Sequence, residues 1–416
     1  FAKTDRLQFI LITTPFLYQK YIFLNDKLSK LFFKLDVYEV AATDALEILL
    51  SMTPTLEKRN NIFISYEAVK ESVEKSEYFI TNIPFPEKAI ELLDNSCSLA
   101  VRLKQNIVTP VHVKTSIEQQ LHVPTVLTSE MRQKLLKIET LLKDKILQQD
   151  EAIQKVTIAL QRSFILMGKR KKPLATFIFF GPTGVGKTET AKMIANVFFG
   201  SEKELIRFDM SLYQNKTDIE KLIGSQETGD PGLMTAKIRQ KPYGVLLLDE
   251  IEKADKDLVN IFLTIVDEGY FIDGAGKKVD AKNLVIVATS NAGAELLYGG
   301  DLKDRSAFID YLIQKGHFSP EFLNRFDGIV IFKPLSKESI YQLSKRMANS
   351  IANTINSMYK VKLVMSDKFL SELAEKGYDK RFGARNMDRV IKEELEGRVA
   401  KYMLTKGAQE GTTIEL

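Results

Sequence analysis

A single cysteine, Cys97, stands in the whole chain. One thiol closes no disulfide framework and builds no cysteine-based zinc site. It suits a reducing compartment, so the expected location is the cytoplasm. Histidines are as sparse, and His112, His122 and His317 lie too far apart to suggest a metal cluster. No run of apolar residues reaches the ~18–20 that a membrane-crossing helix needs. Charge of one sign is scarce too: Lys plus Arg number 59 against 54 for Asp plus Glu, a net +5 over 416 residues. That surplus is too thin for a committed nucleic-acid binder, so neither nucleic acid nor membrane is expected as a partner. Low-complexity tracts and short-period repeats are missing as well. What remains, 44% apolar and 27% charged, is ordinary globular composition, and the length predicts two to four domains.

The chain opens on Phe1 instead of Met, so a natural start upstream is expected. Leu7-Gln-Phe-Ile-Leu-Ile-Thr-Thr-Pro15 imitates a signal core but lacks a basic leader and a small-residue cleavage site. It reads as a buried strand. A Thr-Thr-Pro turn and a charged amphipathic segment complete residues 1–36. From Val40 to Ser116 the pattern is helical and punctuated: Thr43-Asp44 can cap one helix, Ser65 to Ser76 carries a second, and Pro86 opens a third. Residues 117–150 read as a linker running into a helix, interrupted by Pro124. Gly168-Lys-Arg-Lys-Lys-Pro173 is a basic loop, solvated on the ordinary reading of a short charge run.

After Pro173 the grammar changes. Ala175–Phe180, Gly244–Leu248 and Leu284–Thr289 are continuous apolar runs, each followed by polar residues and then a helical pattern. Strands buried on both faces and alternating with helices make an α/β fold with a parallel sheet covered on both sides. From Pro334 onward amphipathic helices dominate, with short strands at Val361–Val364 and Thr413–Leu416. A small terminal α+β domain is expected there.

Gly181-Pro-Thr-Gly-Val-Gly-Lys-Thr188 satisfies G-x-x-x-x-G-K-[ST] between a predicted strand and a predicted helix, the context this motif requires. Chance produces such a match in on the order of one in a hundred chains of this length. Gly181, Pro182, Thr183, Gly184, Val185 and Gly186 form a loop whose backbone N–H groups converge on phosphate oxygens at a helix N-terminus. Lys187 would place its ammonium between the β- and γ-phosphates, and the Thr188 hydroxyl would coordinate Mg²⁺. Val245-Leu-Leu-Leu-Asp249-Glu250 supplies the other half, an apolar strand ending in two carboxylates beside that loop. Asp249 would hold the Mg²⁺, directly or through water, and Glu250 would act as general base toward the attacking water. The expected cofactors are ATP and Mg²⁺.

The stretch from Phe177 to Leu416 resembles the second ATPase module of the Clp-type AAA+ unfoldases. The matching segments are Gly181–Glu189, Leu246–Ala254 (Leu-Leu-Leu-Asp-Glu-Ile-Glu-Lys-Ala), Ala288–Asn291, Pro320–Asp327, and Lys376–Asp379 with Gly383–Arg385. The resemblance implies roles that spacing alone does not. Asn291 would be the sensor that positions water near the γ-phosphate, and Arg325 the arginine finger offered to a neighbouring subunit. Arg385 would be the second sensor, carried by the terminal lid. Ile146 and Leu147 occupy the family's adenine-pocket stretch, although Gln148 stands where the family usually has Gly. Arg389 reads as a helix-surface partner of Glu393 or Glu394.

A weaker resemblance runs backward. Ile12–Tyr21 is similar to the end of the family's first ATPase core, and Tyr78–Thr81 with Pro86–Asp94 to the small domain that follows it. That core's phosphate loop would lie before Phe1, and Lys30 and Leu31 stand where its arginine fingers belong. The implied organisation is a remnant of a first AAA+ core (1–36), its helical lid (37–116), a linker and helical segment (117–172), a second core (173–333) and an α+β lid (334–416).

Three departures bear on function. The region after Ala100 leaves no room for the coiled-coil arm of disaggregating members. The pore loop, Gly224–Gly232, lacks the family's Gly-Tyr-Val-Gly aromatic, with Leu233 or Met234 as the nearby bulky residues. Between Asn291 and Phe318 there is no Ile-Gly-Phe-type loop to dock a ring protease, so such a protease or an adaptor is a partner without a visible docking element. The resemblance implies an ATP hydrolase assembled as a homo-oligomeric ring, expected as a hexamer, that unfolds protein substrates in quality control and stress response. The alternative is a nucleotide-gated scaffold or assembly switch without processive threading.

Overall fold

The computed structural model describes residues 9–80, 83–121, 128–165, 171–225, 229–299, 304–378, 384–406 and 412–416. Phe9 to Thr13 has no regular structure, and Ile10 and Ile12 are almost fully exposed. The strand expected in this apolar run is therefore not formed across its described part. A strand is stable only with a ladder partner, and among the described residues none pairs with it.

After the short helical turns Pro15–Leu17, Tyr18–Phe23 and Asp26–Ser29, four longer helices build the core of the first unit: α1 (Ala42–Asn60), α2 (Tyr66–Phe79), α3 (Glu87–Arg102) and α4 (Pro110–Leu121). Their apolar faces meet in a core of Leu49, Val69, Val73, Leu92, Leu93, Val113 and Ile117, all buried. Buried Val113 and Ile117 carry α4 through the boundary expected at 116. Three serines inside this core return their hydroxyls to carbonyls one turn back, Ser72 to Ala68, Ser76 to Val73 and Ser96 to Leu92. No buried hydroxyl among the three is thus left unsatisfied. Ser65 caps α2 through the Ala68 N–H. The cap expected from Thr43-Asp44 falls within the first turn of α1, whose N-cap is Ala41 with no side-chain bond; Asp44 there faces the positive end of the helix dipole instead. Cys97 is fully buried, and burial pushes its thiol up to about 11, which makes it inert core. His112 accepts the Thr109 N–H through Nδ1 at 3.0 Å and so closes the start of α4. His122 lies outside the described residues.

Among the ionic ties of this unit, one is partly buried at Glu39. Glu39 Oε1 accepts from Lys88 Nζ and from the Phe85 N–H, both at 2.8 Å. Lys88, itself buried, also lies 4.0 Å from the Phe85 ring centroid. Burial pushes the Glu39 carboxyl up, but these two donors outweigh it and hold the group below the ordinary range.

The second unit is a five-stranded parallel sheet with a helical lid. Helices α5 (Ser129–Lys145) and α6 (Asp150–Ile165) precede β1 (Ala175–Phe180), α7 (Lys187–Phe199), β2 (Leu205–Asp209), α8 (Leu233–Gln240), β3 (Gly244–Asp249), α9 (Lys256–Glu268), β4 (Leu284–Ser290) and β5 (Gly328–Ile331). The spatial order is β2-β3-β4-β1-β5. β1, β3 and β4 are buried at every position, as their unbroken apolar runs require. One face packs Phe177, Phe179, Leu247 and Val287 against Leu142 of α5, Leu160 of α6 and Ile194 of α7. On the other, Phe180 meets Phe308 and Phe318 edge-on. Asp327 pins β5 beside β1 by accepting from the Thr176 N–H and hydroxyl, both at 3.0 Å.

The lid has helices α10 (Lys337–Tyr359), α11 (Asp367–Gly377) and α12 (Met387–Lys406), and Lys362–Val364 pairs parallel with Thr413–Glu415. Ile340, Leu370, Leu373, Ile391, Leu395 and Ile414 form its core. The α+β expectation for this domain is met. Arg389 pairs with Glu393 at 3.2 Å.

Candidate active site

Parallel strands deliver their C-terminal ends to one edge, and there the register sets Phe180 beside Ser290 and Asp209 beside Asp249. The Gly-rich loop follows Phe180 directly. Its first residue must be glycine: Gly181 has φ +145°, and a Cβ would meet the Phe332 carbonyl oxygen at 2.5 Å. Gly186, at φ +108°, turns the loop into α7 with the Ile146 side chain close above it.

Thr183, Gly184, Lys187, Thr188, Asp249 and Asn291 line one cavity of about 230 Å³, which Ala384 of the lid also borders. Lys187 is buried and its ammonium donates to Gly181 O at 2.5 Å, Pro182 O at 2.8 Å and Asn291 Oδ1 at 2.9 Å. Asn291 Nδ2 in turn donates to Glu250 Oε1 at 3.4 Å. Loop lysine, Asn291 amide and second strand carboxylate thus form one chain of contacts. Glu250 sits in the left-handed region, at φ +58°. Such backbone strain in a non-glycine residue, of about 1–3 kcal/mol, collects at functional sites. Its N–H is compensated by Thr289 Oγ1 at 3.2 Å, and its carboxylate pairs with Lys253.

Asp249 is buried with both oxygens engaged. Thr289 donates to Oδ1, and Arg207, projecting from the neighbouring strand, donates to Oδ2 at 2.5 Å. Thr289 therefore serves two groups at once. Thr289→Val should lower stability by about 2–3 kcal/mol, since it strips a partner from a buried carboxylate and from a backbone N–H. Denaturant titration with unchanged m would register it, and a midpoint equal to wild type would refute the double role.

Arg325 is not at this cavity. Its guanidinium pairs with Asp267 of α9 and, at 3.2 Å, with Glu321. Lys172 at 2.6 Å, ahead of Arg325, holds the Asp267 carboxyl below the usual range. Ile146 is buried in the core against the loop, and Leu147 is half-buried. Gln148 has φ +60°, which explains the family's glycine there, and its side chain accepts the Ser336 N–H at 2.7 Å. Gln149 brackets Lys333, donating to its carbonyl at 2.8 Å and accepting its N–H at 2.9 Å. The Arg385 side chain lies outside the described residues, as do residues 226–228 of the Gly224–Gly232 loop and residues 168–170 of the basic loop. At the start of α8, Leu233 is 54% exposed and Met234 fully buried, so Met234 is core.

Sequence reading missed Arg207, Thr289, Glu252 and Asp267. Thr289 stood inside a matched segment and Glu252 inside another, but nothing in their spacing marks a side-chain bond between distant strands.

Mg²⁺ fits the side chains present. Thr188 and Asp249 offer hard oxygens on one cavity wall, the donor type this ion takes. Because both Asp249 oxygens already accept hydrogen bonds, contact through water suits it better than direct ligation.

Three family models match: the AAA domain (Cdc48 subfamily) over residues 172–329, the C-terminal D2-small domain of ClpB protein over 335–416, and an AAA lid domain over 41–154. The ATP-dependent Clp protease ATP-binding subunit ClpC of Staphylococcus aureus (strain USA300) is 30% identical, across 98% of this chain and 59% of its own length. Chaperone protein ClpB of Vibrio vulnificus (strain YJ016) is 35% identical, across 82% of this chain and 41% of its own. The S. cerevisiae Hsp104:casein complex in its extended conformation superposes with TM-score 0.82 at 28% identity, covering 95% of this chain and 70% of that one. A closed-state cryo-EM reconstruction of Hsp104 with ATPγS and FITC casein gives 0.82 at 28%, covering 96% and 71%. The chain spans about three-fifths of the ClpC relatives' length, 59%. With a five-stranded parallel core, a phosphate-loop motif closing on Asp249 and Asn291, and an α+β lid behind it, this chain belongs to the Clp family of AAA+ ATPases.

Proposed function

We propose that this chain hydrolyses ATP at sites shared between subunits of a ring, expected as a hexamer in the cytoplasm, and uses the cycle to unfold protein substrates. The observation that carries the reading is the continuous contact Lys187–Asn291–Glu250 beside Asp249. In that arrangement Lys187 neutralises charge developing on the β- and γ-phosphates. Asn291, held by Lys187 on one side and Glu250 on the other, orients the attacking water, and Glu250 takes its proton. Thr188 and Asp249 would hold Mg²⁺, which when bound would neutralise charge on the phosphates. The main-chain donors of residues 181–188 bind the phosphates, and Ile146 and Leu147 are assigned to the base. Arg325, paired on its own surface with Asp267 and Glu321, is assigned to a neighbour's γ-phosphate, and Arg385 to the nucleotide-sensing contact of the lid. Protein substrates are proposed from likeness to Hsp104, which is solved with casein.

The direct test is ATP hydrolysis per subunit against protein concentration, with Glu250→Gln as the blank. A cooperative rise supports shared sites. A flat rate at blank level, with nucleotide still bound, would support a second reading, a nucleotide-gated scaffold, which the absence of an aromatic from Gly224–Gly232 favours. Leu233 separates the two further. Its exposure at the mouth of α8 makes it the bulky residue left to grip a threaded chain. Leu233→Ala should cut ATP-dependent unfolding of a fluorescent substrate with an unstructured tail about tenfold while leaving ATP turnover within about twofold. Equal unfolding by both proteins would remove Leu233 from the gripping role.

A further inference from the structure

Asn291 is the first residue beyond β4, and the β1–β4 register stops at Phe180 beside Ser290. Its backbone N–H therefore has no strand partner in that ladder. The partner is a side chain: Glu252, in the short 3-10 turn Ile251–Lys253 after β3, accepts that N–H through Oε1 at 3.1 Å. Its other oxygen, Oε2, is buried and has no hydrogen-bond partner among the described residues. A carboxylate half-satisfied in this way is a poor choice for stability alone.

The bonds made by the Asn291 side chain, to Lys187 and Glu250, fix its amide group. On the main chain, the carbonyl accepts the Ala294 N–H at 3.2 Å, and Glu252 holds the N–H. We propose that Glu252 is a positioning residue that sets the height of Asn291 above the sheet edge, so that its amide stays between Lys187 and Glu250. Glu252 follows Glu250 by two residues, so one turn carries both the general base and the anchor of the amide that works with it. Any tilt of this turn then moves base and amide together. The inference rests on the reading of Asn291 as the water-orienting amide.

The test is kcat and KM for ATP hydrolysis, with affinity for a fluorescent ADP analogue, in the full chain. The variants are Glu252→Met, Glu252→Gln, Asn291→Ala and Glu252→Met/Asn291→Ala. Glu252→Met keeps the volume and loses the acceptor; kcat should fall about tenfold to a hundredfold, with KM and ADP affinity within about twofold. Glu252→Gln keeps an acceptor oxygen and should retain about a third or more of kcat. The double variant should be no more than about twofold slower than Asn291→Ala, because both changes remove one function. A slow Asn291→Ala beside a Glu252→Met of normal kcat would overturn the positioning role alone. A normal Asn291→Ala would overturn the sensor reading and this inference with it. Should Glu252→Met fail to fold, Glu252→Ser gives the same comparison, and loss of ADP binding together with kcat in both would assign Glu252 a folding role instead.

Discussion

Glu250→Gln is expected to bind ATP with wild-type affinity and to hydrolyse it at least about a hundredfold more slowly, the usual contribution of a positioned base. The binding half follows from geometry. Glu250 is not among the residues that border the phosphate cavity, whose walls are Lys187, Thr188, Asp249 and the glycine loop. Gln keeps the side-chain length and an acceptor for Asn291 Nδ2, so the local structure should persist. The left-handed backbone of residue 250 is also no worse for Gln than for Glu. The check is single-turnover hydrolysis alongside equilibrium binding of a fluorescent ATP analogue. Turnover within about twofold of wild type would remove Glu250 from the base role and direct attention to Glu252.

Arg325→Ala should lose about a thousandfold in turnover, within the range for supplying an arginine in trans. Among the described residues of its own chain, the side chain forms ion pairs with Asp267 and Glu321. A purely structural ion pair at a surface would leave turnover intact. The decisive experiment mixes Arg325→Ala with Lys187→Ala. Each subunit then lacks what the other supplies, and random assembly in equal amounts restores about a quarter of the shared sites. Mixtures as inactive as the separate variants would exclude a site built from two subunits.

The contrast between what could and could not be read in advance has a physical basis. β1, β3 and β4 were legible because burial on both faces forces an unbroken apolar run. β2 and β5, at the two sheet edges, were not. β2 alternates, with Ile206 and Phe208 inward and Arg207 outward, and its five residues include two charges. β5 is a four-residue strand with half-buried ends. The phosphate loop, Lys187, Thr188, Asp249 and Asn291 were legible as motif residues, and the fold brings them to one cavity. Arg207 and Thr289 reach Asp249 only because strands 40 or so residues apart in sequence become neighbours. Periodicity describes which face a residue takes and says nothing of its partner across the sheet. The strand expected near Phe9 failed for a related reason: apolar character supplies the side chains of a strand but not the ladder that holds it.

The two glutamines ahead of α6 have a mechanical consequence. Gln149 is bonded to both main-chain groups of Lys333, and Gln148 to the N–H of Ser336. These three bonds splice the Gln148–Gln149 segment onto the strip of chain that leads from β5 into α10. Farther along α10, Arg346 donates to the Asp144 carbonyl at the end of α5, a further clasp on the root of the C-terminal domain. For that domain to swing about the strip 334–336, the Gln148–Ser336 bond and the Arg346 clasp must both open, with Lys333, still bracketed by Gln149, as the fixed post.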